Sequence, residues 1–217
     1  MNVTDAVVQR KTIRDFLPDP ISNDEIAELL TTASRAPSGG NLQPWQIYVI
    51  NGESMAGFRQ HMAEADPTTE MEYDIYPPSL WDPYRTRRFT VGEQMYATIG
   101  VGRDDKAGRL QQFSRNMDFF GAPAAIFCFV DRKLGPPQWS DLGMFLQTFM
   151  LLAEEAGWQT CPQEAWAAAH EQVRSFTGAP DELMLFCGVA IGKANHDHPI
   201  NSLVSERAPL DEFATFL

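Results

Sequence analysis

The chain is short of most features that would place it at a glance. Among 217 residues there are three cysteines, Cys128, Cys161 and Cys187, with no CxxC pair. That excludes a disulfide framework and a cysteine-built metal site. Two of the three stand in apolar runs, where a buried free thiol is the expected state. No run approaches 18 uninterrupted apolar residues, so no membrane-spanning helix is expected. The amino terminus, MNVTDAVVQRK, has no apolar stretch after a basic start, so no secretory signal is visible and cytoplasmic residence is the default expectation. Positive charge is scarce too. Seventeen Lys and Arg stand against 29 Asp and Glu, a formal net charge of −12, which argues against a general nucleic-acid or anionic-membrane surface. Neither a G-x-G-x-x-G fingerprint nor a phosphate-binding loop with its Lys and Ser/Thr occurs, leaving a Rossmann dinucleotide site without support. His196-Asp197-His198 lacks a third ligand at matching spacing and reads as a polar loop before Pro199.

Against that background, Arg10-Lys11-Thr12-Ile13-Arg14 places three cations within five residues of an acidic chain. A solvated helix end is one reading. The other is a set of fixed cations and a hydroxyl facing an anion, because a guanidinium fork suits a phosphate or a polar ring edge. Further on, Ala36-Pro37-Ser38-Gly39-Gly40-Asn41-Leu42-Gln43-Pro44-Trp45 is a small-residue loop running toward a strand. Its glycines permit close backbone approach, and its N–H groups can meet ring carbonyls; an ordinary helix-to-strand connection is the alternative.

Composition suits one globular domain spanning 1–217, with 44% hydrophobic residues to build a core. Ser22 and Glu25 have the form of a capping box, and Ile26, Leu29, Leu30 and Ala33 follow at helical spacing. Short strands are expected over 46–50, 124–130, 158–161 and 183–191, with helices over 53–65 and 170–177. The strongest helical pattern, Gln138 to Gly157, is apolar nearly all round, which predicts burial in a core or at a subunit interface. Residues 66–120 differ in composition, rich in Pro, Tyr, Trp and Arg, and read as an insertion or lid with two helices. The sum is an α+β fold, a small mixed sheet flanked by helices.

The order R-x-T-x-R-x-F, then APSGGNLQPW, the long apolar helix, G-W-Q-T-C-P-Q-E and a late Arg before Pro-Leu resembles the FMN-dependent nitroreductase family. IYPPSLWDPYRTRRF and RNMDFFGAP look most like its nitrobenzoate-reductase-type branch. The resemblance implies an intertwined homodimer binding FMN and using NADH or NADPH. Nitroaromatic compounds, nitrobenzoates included, would go to nitroso and hydroxylamino products by two-electron, ping-pong transfer. No catalytic side chain is required, because the flavin carries the redox step. By the same resemblance Arg10, Lys11, Thr12 and Arg14 hold the FMN phosphate, ribityl chain and N1–O2 edge. Pro37, Ser38 and Gly39 come from the partner subunit along the ring, while Pro162, Gln163, Glu164 and Ala165 meet it near N5 and O4. Asn116 contacts the pyrimidine, and Arg207 the phosphate, with Ser205 where many relatives carry a second cation. Ala165 stands where Gly is common, which requires a negative φ. For the acceptor, Tyr84, Arg85, Arg88 and Phe120 are the expected contacts. One of the arginines of 85–88 would guide a substrate carboxylate or the nicotinamide phosphate; a solvated helix face is the alternative. Quinone or enone reduction, dehalogenation, or flavin binding without turnover remain alternatives on the same scaffold.

Overall fold

The computed structural model describes residues 1–66 and 70–217. Its helices are α1 (Val3–Gln9), α2 (Asn23–Ala33), α3 (Glu53–Glu64), α4 (Tyr84–Thr98), α5 (Lys106–Ser114), α6 (Pro136–Glu155) and α7 (His170–Thr177). The strands are β1 (Gln46–Asn51), β2 (Ala124–Asp131), β3 (Gln159–Gln163) and β4 (Leu183–Gly192), in the order β1-β2-β4-β3. All three strand pairs are antiparallel. The mixed sheet expected from sequence is therefore reduced to one parallel bridge, Thr12 to Thr160, on the outer side of edge strand β3.

Strand β2 shows why the fold has two cores. Ala124, Ile126, Cys128 and Val130 face one side, packing with α2 and α6 through Ile26, Leu29, Leu142, Phe145 and Phe149. Ala125, Phe127 and Phe129 face the other, where Phe58, Phe119 and Trp166 make an aromatic cluster with ring centroids 4.5–6.0 Å apart. Alternation with a period of two, apolar on both sides, is what a fully covered central strand requires. Gly188 lets that cluster close on β4, since a Cβ there would lie 2.4 Å from Trp166 Cδ1.

Two boundaries differ from expectation for reasons of proline chemistry. Helix α6 starts at Pro136 rather than Gln138, with Pro136 and Pro137 in its first turn, where no intrahelical N–H is needed. Strand β3 runs through Pro162 to Gln163, because an edge strand tolerates a missing donor on its open side. The capping box forms as read: Ser22 Oγ accepts from Glu25 N at 3.1 Å, and Glu25 Oε2 from Ser22 N at 2.9 Å.

Helix α6 buries Leu142, Phe145, Leu146, Phe149, Met150 and Ala153 but leaves Trp139 and Met144 exposed. It is thus apolar on both sides and covered on one. Helix α4 buries no residue at all. It is held at its edges instead, by Asp82 with Arg85 (2.6 Å) and by Arg87 with Glu212 of the C-terminal segment (2.6 Å). Just before it, the Glu72 carboxylate is almost wholly enclosed by Arg132 (2.5 Å), His170 (2.7 Å) and Arg174 (3.2 Å), and Tyr73 donates to the Phe186 carbonyl at 2.5 Å. These contacts fix the chain leading to Ile75 and Tyr76 against the sheet.

Candidate active site

Arg10 caps the end of α1, and from Lys11 onward the cationic segment is an extended strip. Helix α1 stops at Gln9, and the chain then runs alongside β3, with Ile13 fully buried and its N–H donating to the Thr160 carbonyl at 3.1 Å. On the other flank sits Asn201, 3% exposed. Its Oδ1 accepts from Arg14 N (2.8 Å), and its Nδ2 donates to the carbonyls of Asp15 (2.7 Å) and Asn195 (2.9 Å). Its own carbonyl accepts from Lys11 Nζ at 2.5 Å. Asp15 is held in turn by Arg115 at 2.7 Å and Asn195 Nδ2 at 2.9 Å. With Ile13 pointing into the core and the backbone pinned from both sides, Arg10, Thr12 and Arg14 are left on the open face.

That face borders two cavities. A smaller one, about 370 Å³, is walled by Arg10, Lys11, Thr12 and Arg14 on one side and Ser205 and Arg207 on the other. Arg10 Nε is buried there without a hydrogen-bond partner among the described residues. An unpaired buried donor of this kind is costly, so it marks a place built for an acceptor. Arg207 folds over its own segment, Nη1 donating to Ser205 Oγ at 2.7 Å and to the carbonyls of Ser205 and Glu206. Ser205 thus orients the remaining cation in place of supplying one.

The larger cavity, about 620 Å³, is lined by Asn116, Pro162, Gln163, Glu164 and Ala165 from the sheet side and by Ile75, Tyr76 and α4 from the other. Arg14, Val91 and Leu203 line both cavities, so the two form one trough with a cationic end and a broad, flatter end. Gln163 is buried; its Nε2 donates to the Asn116 carbonyl (2.9 Å) and Oδ1 (3.1 Å), while its Oε1 has no partner among the described residues. Ala165 is absent from the residues with positive φ, so the side chain where Gly was expected causes no conflict. Partial desolvation raises the Glu164 carboxyl above its ordinary value, although the residue remains exposed. All three cysteines are free and buried, the thiols of Cys161 and Cys187 pushed up to about 12 by desolvation, which leaves them inert as nucleophiles.

Not every expected residue reaches this trough. Phe120 is 2% exposed in the aromatic core and lines no cavity wall, because positive φ at Phe119 and Phe120 turns both rings inward. Tyr84 is exposed and stacks edge-on with Trp81 at 5.6 Å outside the cavity lining. Arg85 and Arg88 do line it. Pro37, Ser38 and Gly39 are not on the walls; their loop is fixed elsewhere, Gly39 N donating to the buried Asp141 carboxylate at 3.2 Å and Gln43 N to Ser38 Oγ at 3.0 Å. Asn201 escaped sequence reasoning altogether, since a lone Asn in a loop carries no periodicity or motif. The described residues include no group of three or more His, Cys, Asp or Glu arranged to hold a metal ion, and no helix long and apolar enough to cross a membrane.

Residues 7–193 match the model of the Nitroreductase family, and the chain belongs to that family. It is 36% identical to the 4-nitrobenzoate reductase of Pseudomonas putida, over 98% of this chain and 95% of that one. It is 32% identical to the chloronitrobenzene nitroreductase of Comamonas testosteroni, over 99% and 96%. Among solved structures, the FMN and NADPH-dependent nitroreductase NfnB from Sphigopyxis sp. strain HMH superposes with a TM-score of 0.95 at 43% identity, covering 100% of this chain and 99% of that one.

Replacing Asn201 with Ala removes one acceptor and two donors from buried backbone groups, and each such loss costs about 1 kcal/mol or more. Asn201→Ala is expected to lower unfolding stability by roughly 2–4 kcal/mol in chemical denaturation. A loss below about 0.5 kcal/mol, the size of an ordinary surface change, would mean the strip is held by Ile13 and Thr160 alone.

Proposed function

We propose that this protein is an FMN-dependent NAD(P)H oxidoreductase that reduces nitroaromatic compounds. The observation that carries this reading is the trough itself: an unpartnered buried Arg10 Nε among cations at one end, opening past Arg14 onto a broad cavity. The donor set fits a phosphate at the narrow end and a polar-edged ring at the wide end. Arg10, Lys11, Thr12, Ser205 and Arg207 would hold the phosphate and ribityl chain. One ammonium N–H of Lys11 donates to the Asn201 carbonyl, leaving two more to donate. Arg14, at the junction, would meet the ring's carbonyl edge, with Asn116 steadied by Gln163 beside it. The backbone of Pro162, Gln163, Glu164 and Ala165 would form the wall along the reacting edge. FMN held in this trough would supply two-electron chemistry between NADH or NADPH and a flat acceptor. In balance, a nitroarene, NAD(P)H and a proton give the nitroso compound, NAD(P)⁺ and water; a second round gives the hydroxylamine. Donor and acceptor reach the same open cavity, which predicts ping-pong kinetics.

The proposed homodimer completes this site. Helix α4 without a buried residue, the outer side of α6, and Phe213 and Phe216 at 69% and 85% exposure all present apolar surface in one chain. Such surface is typical of an interface. The Pro37–Gly39 loop, absent from its own chain's trough, would serve the partner's. Residues 66–120 would then act as a lid beside that interface within a single 1–217 domain, and the protein would reside in the cytoplasm.

Purified protein should be yellow, bleach anaerobically with NADH or NADPH, and regain colour on addition of a nitroarene. Colourless protein that takes up no FMN would overturn the reading. Arg14→Ala is expected to weaken FMN binding about tenfold or more and to lower the flavin potential, because a cation near the ring favours its reduced, anionic form. Unchanged affinity and potential would remove Arg14 from the site. Light scattering of the FMN-loaded protein should give the mass of a dimer, and a monomeric mass would sink the shared-site arrangement.

A further inference from the structure

The large cavity carries more positive charge than the proposed flavin needs. Its walls present Arg14, Arg85, Arg88 and Arg109 against Glu93 and Glu164, in a chain of net charge −12. Most of that charge is already answered. Arg109 makes a two-armed pair with Glu93, at 2.6 and 3.0 Å, and its guanidinium lies 4.4 Å from the centre of the Tyr96 ring. Arg85 pairs with Asp82 at 2.6 Å. Arg14 sits where the two cavities join and is taken by the proposed flavin contact. Arg88 remains. It makes no hydrogen bond or ion pair with any described residue, and its guanidinium carbon lies 4.3 Å above the centre of the Tyr76 ring. A cation–π contact of this kind uses no N–H donor, so the guanidinium N–H groups of Arg88 stay free to meet an acceptor. The Tyr76 side is also the fixed side, since Glu72 and Tyr73 anchor the chain just before it.

We propose that Arg88 is a specificity-determining residue that accepts the carboxylate of an anionic nitroaromatic acceptor on its free guanidinium edge. This rests on the reduction of nitroaromatics proposed above and narrows it to acceptors bearing a carboxylate. The opposite wall, Gln163 to Ala165, is where the nitro group would lie, so the two substituents would be read by different elements. Glu164, the one wall carboxylate without a cationic partner among the described residues, belongs to that opposite wall, and partial desolvation makes it hold its proton more tightly than usual. Stacking keeps the cation in place before substrate arrives, which reduces the ordering cost of forming a fork-to-carboxylate pair.

The test compares 4-nitrobenzoate with its neutral isostere 4-nitrobenzamide, using FMN-loaded enzyme and either NADPH or NADH. In the unaltered protein, kcat/KM should favour the acid over the amide, and added salt should erode the preference. Arg88→Gln should lower the ratio of the two kcat/KM values at least tenfold, chiefly through KM for the acid, the loss expected for a charged hydrogen-bonded contact. Arg88→Lys, keeping charge without the fork, should restore part of the ratio, and Arg85→Gln should change it less than Arg88→Gln. A ratio unchanged within about twofold in Arg88→Gln overturns the proposal. So does a change confined to NADPH relative to NADH, which would put Arg88 on the nucleotide phosphate. Turnover of 4-nitrobenzamide by the unaltered protein keeps the nitroaromatic reading standing whatever Arg88 does, whereas reduction of neither compound would remove both.

Discussion

The arrangement depends on how the chain from Lys11 to Asp15 is held. Ile13 is sunk into the core and bonded to Thr160, while Asn201 grips Arg14 and Asp15 from the far side. Five residues near the amino terminus are thereby fixed to β3 and to a loop almost 190 residues later. A cationic strip of this kind would be mobile if exposed, because long side chains lose little by wandering in water. Pinning its backbone between two buried partners turns three flexible cations into a surface of defined shape. Only then can a buried Arg10 Nε persist without a hydrogen-bond partner among the described residues.

The same constraint explains how an acidic protein can host a cationic trough. At a net charge of −12 the long-range field does not favour anions, so affinity must come from short-range contacts in a partly enclosed place. Ion pairs nearby consume the surplus: Arg115 with Asp15, Arg109 with Glu93, Arg85 with Asp82. What they leave, Arg10 and Arg14 at one end and Arg88 at the other, is aimed rather than diffuse. The segment leading into α4 follows a related logic. It is pinned where the buried Glu72 carboxylate meets Arg132, Arg174 and the His170 imidazole, whereas α4 beyond it buries nothing in the single chain.

Much of this was legible in residues alone. The period-two apolar run of β2, the capping box at Ser22 and the long apolar pattern of α6 each translate directly into an element, because local burial dictates them. The motifs RKTIR and CPQEA identified two walls of the trough through family resemblance. Expectation and single-chain structure part where a residue type permits two environments. Phe120 read as a pocket residue from its neighbours' company, yet a left-handed backbone at Phe119 and Phe120 rotates it into the core. Tyr84 opens a helix whose inward side could not be told, since α4 has no apolar stripe to orient it. Asn201 carried no signal at all, because its role depends entirely on which strand passes beside it.

The sequence by itself determined the elements, the family and the residue types of the cationic strip, since these follow from local periodicity and from motifs contiguous in the chain. Only the tertiary structure decided which cations are spent on internal pairs and which stay free. It also decided that the small and large cavities are one trough and that the Pro37–Gly39 loop lies off its own chain's walls. The reason is physical: pairing and enclosure are properties of neighbours in space. In this fold those neighbours are drawn from segments separated by up to 190 residues.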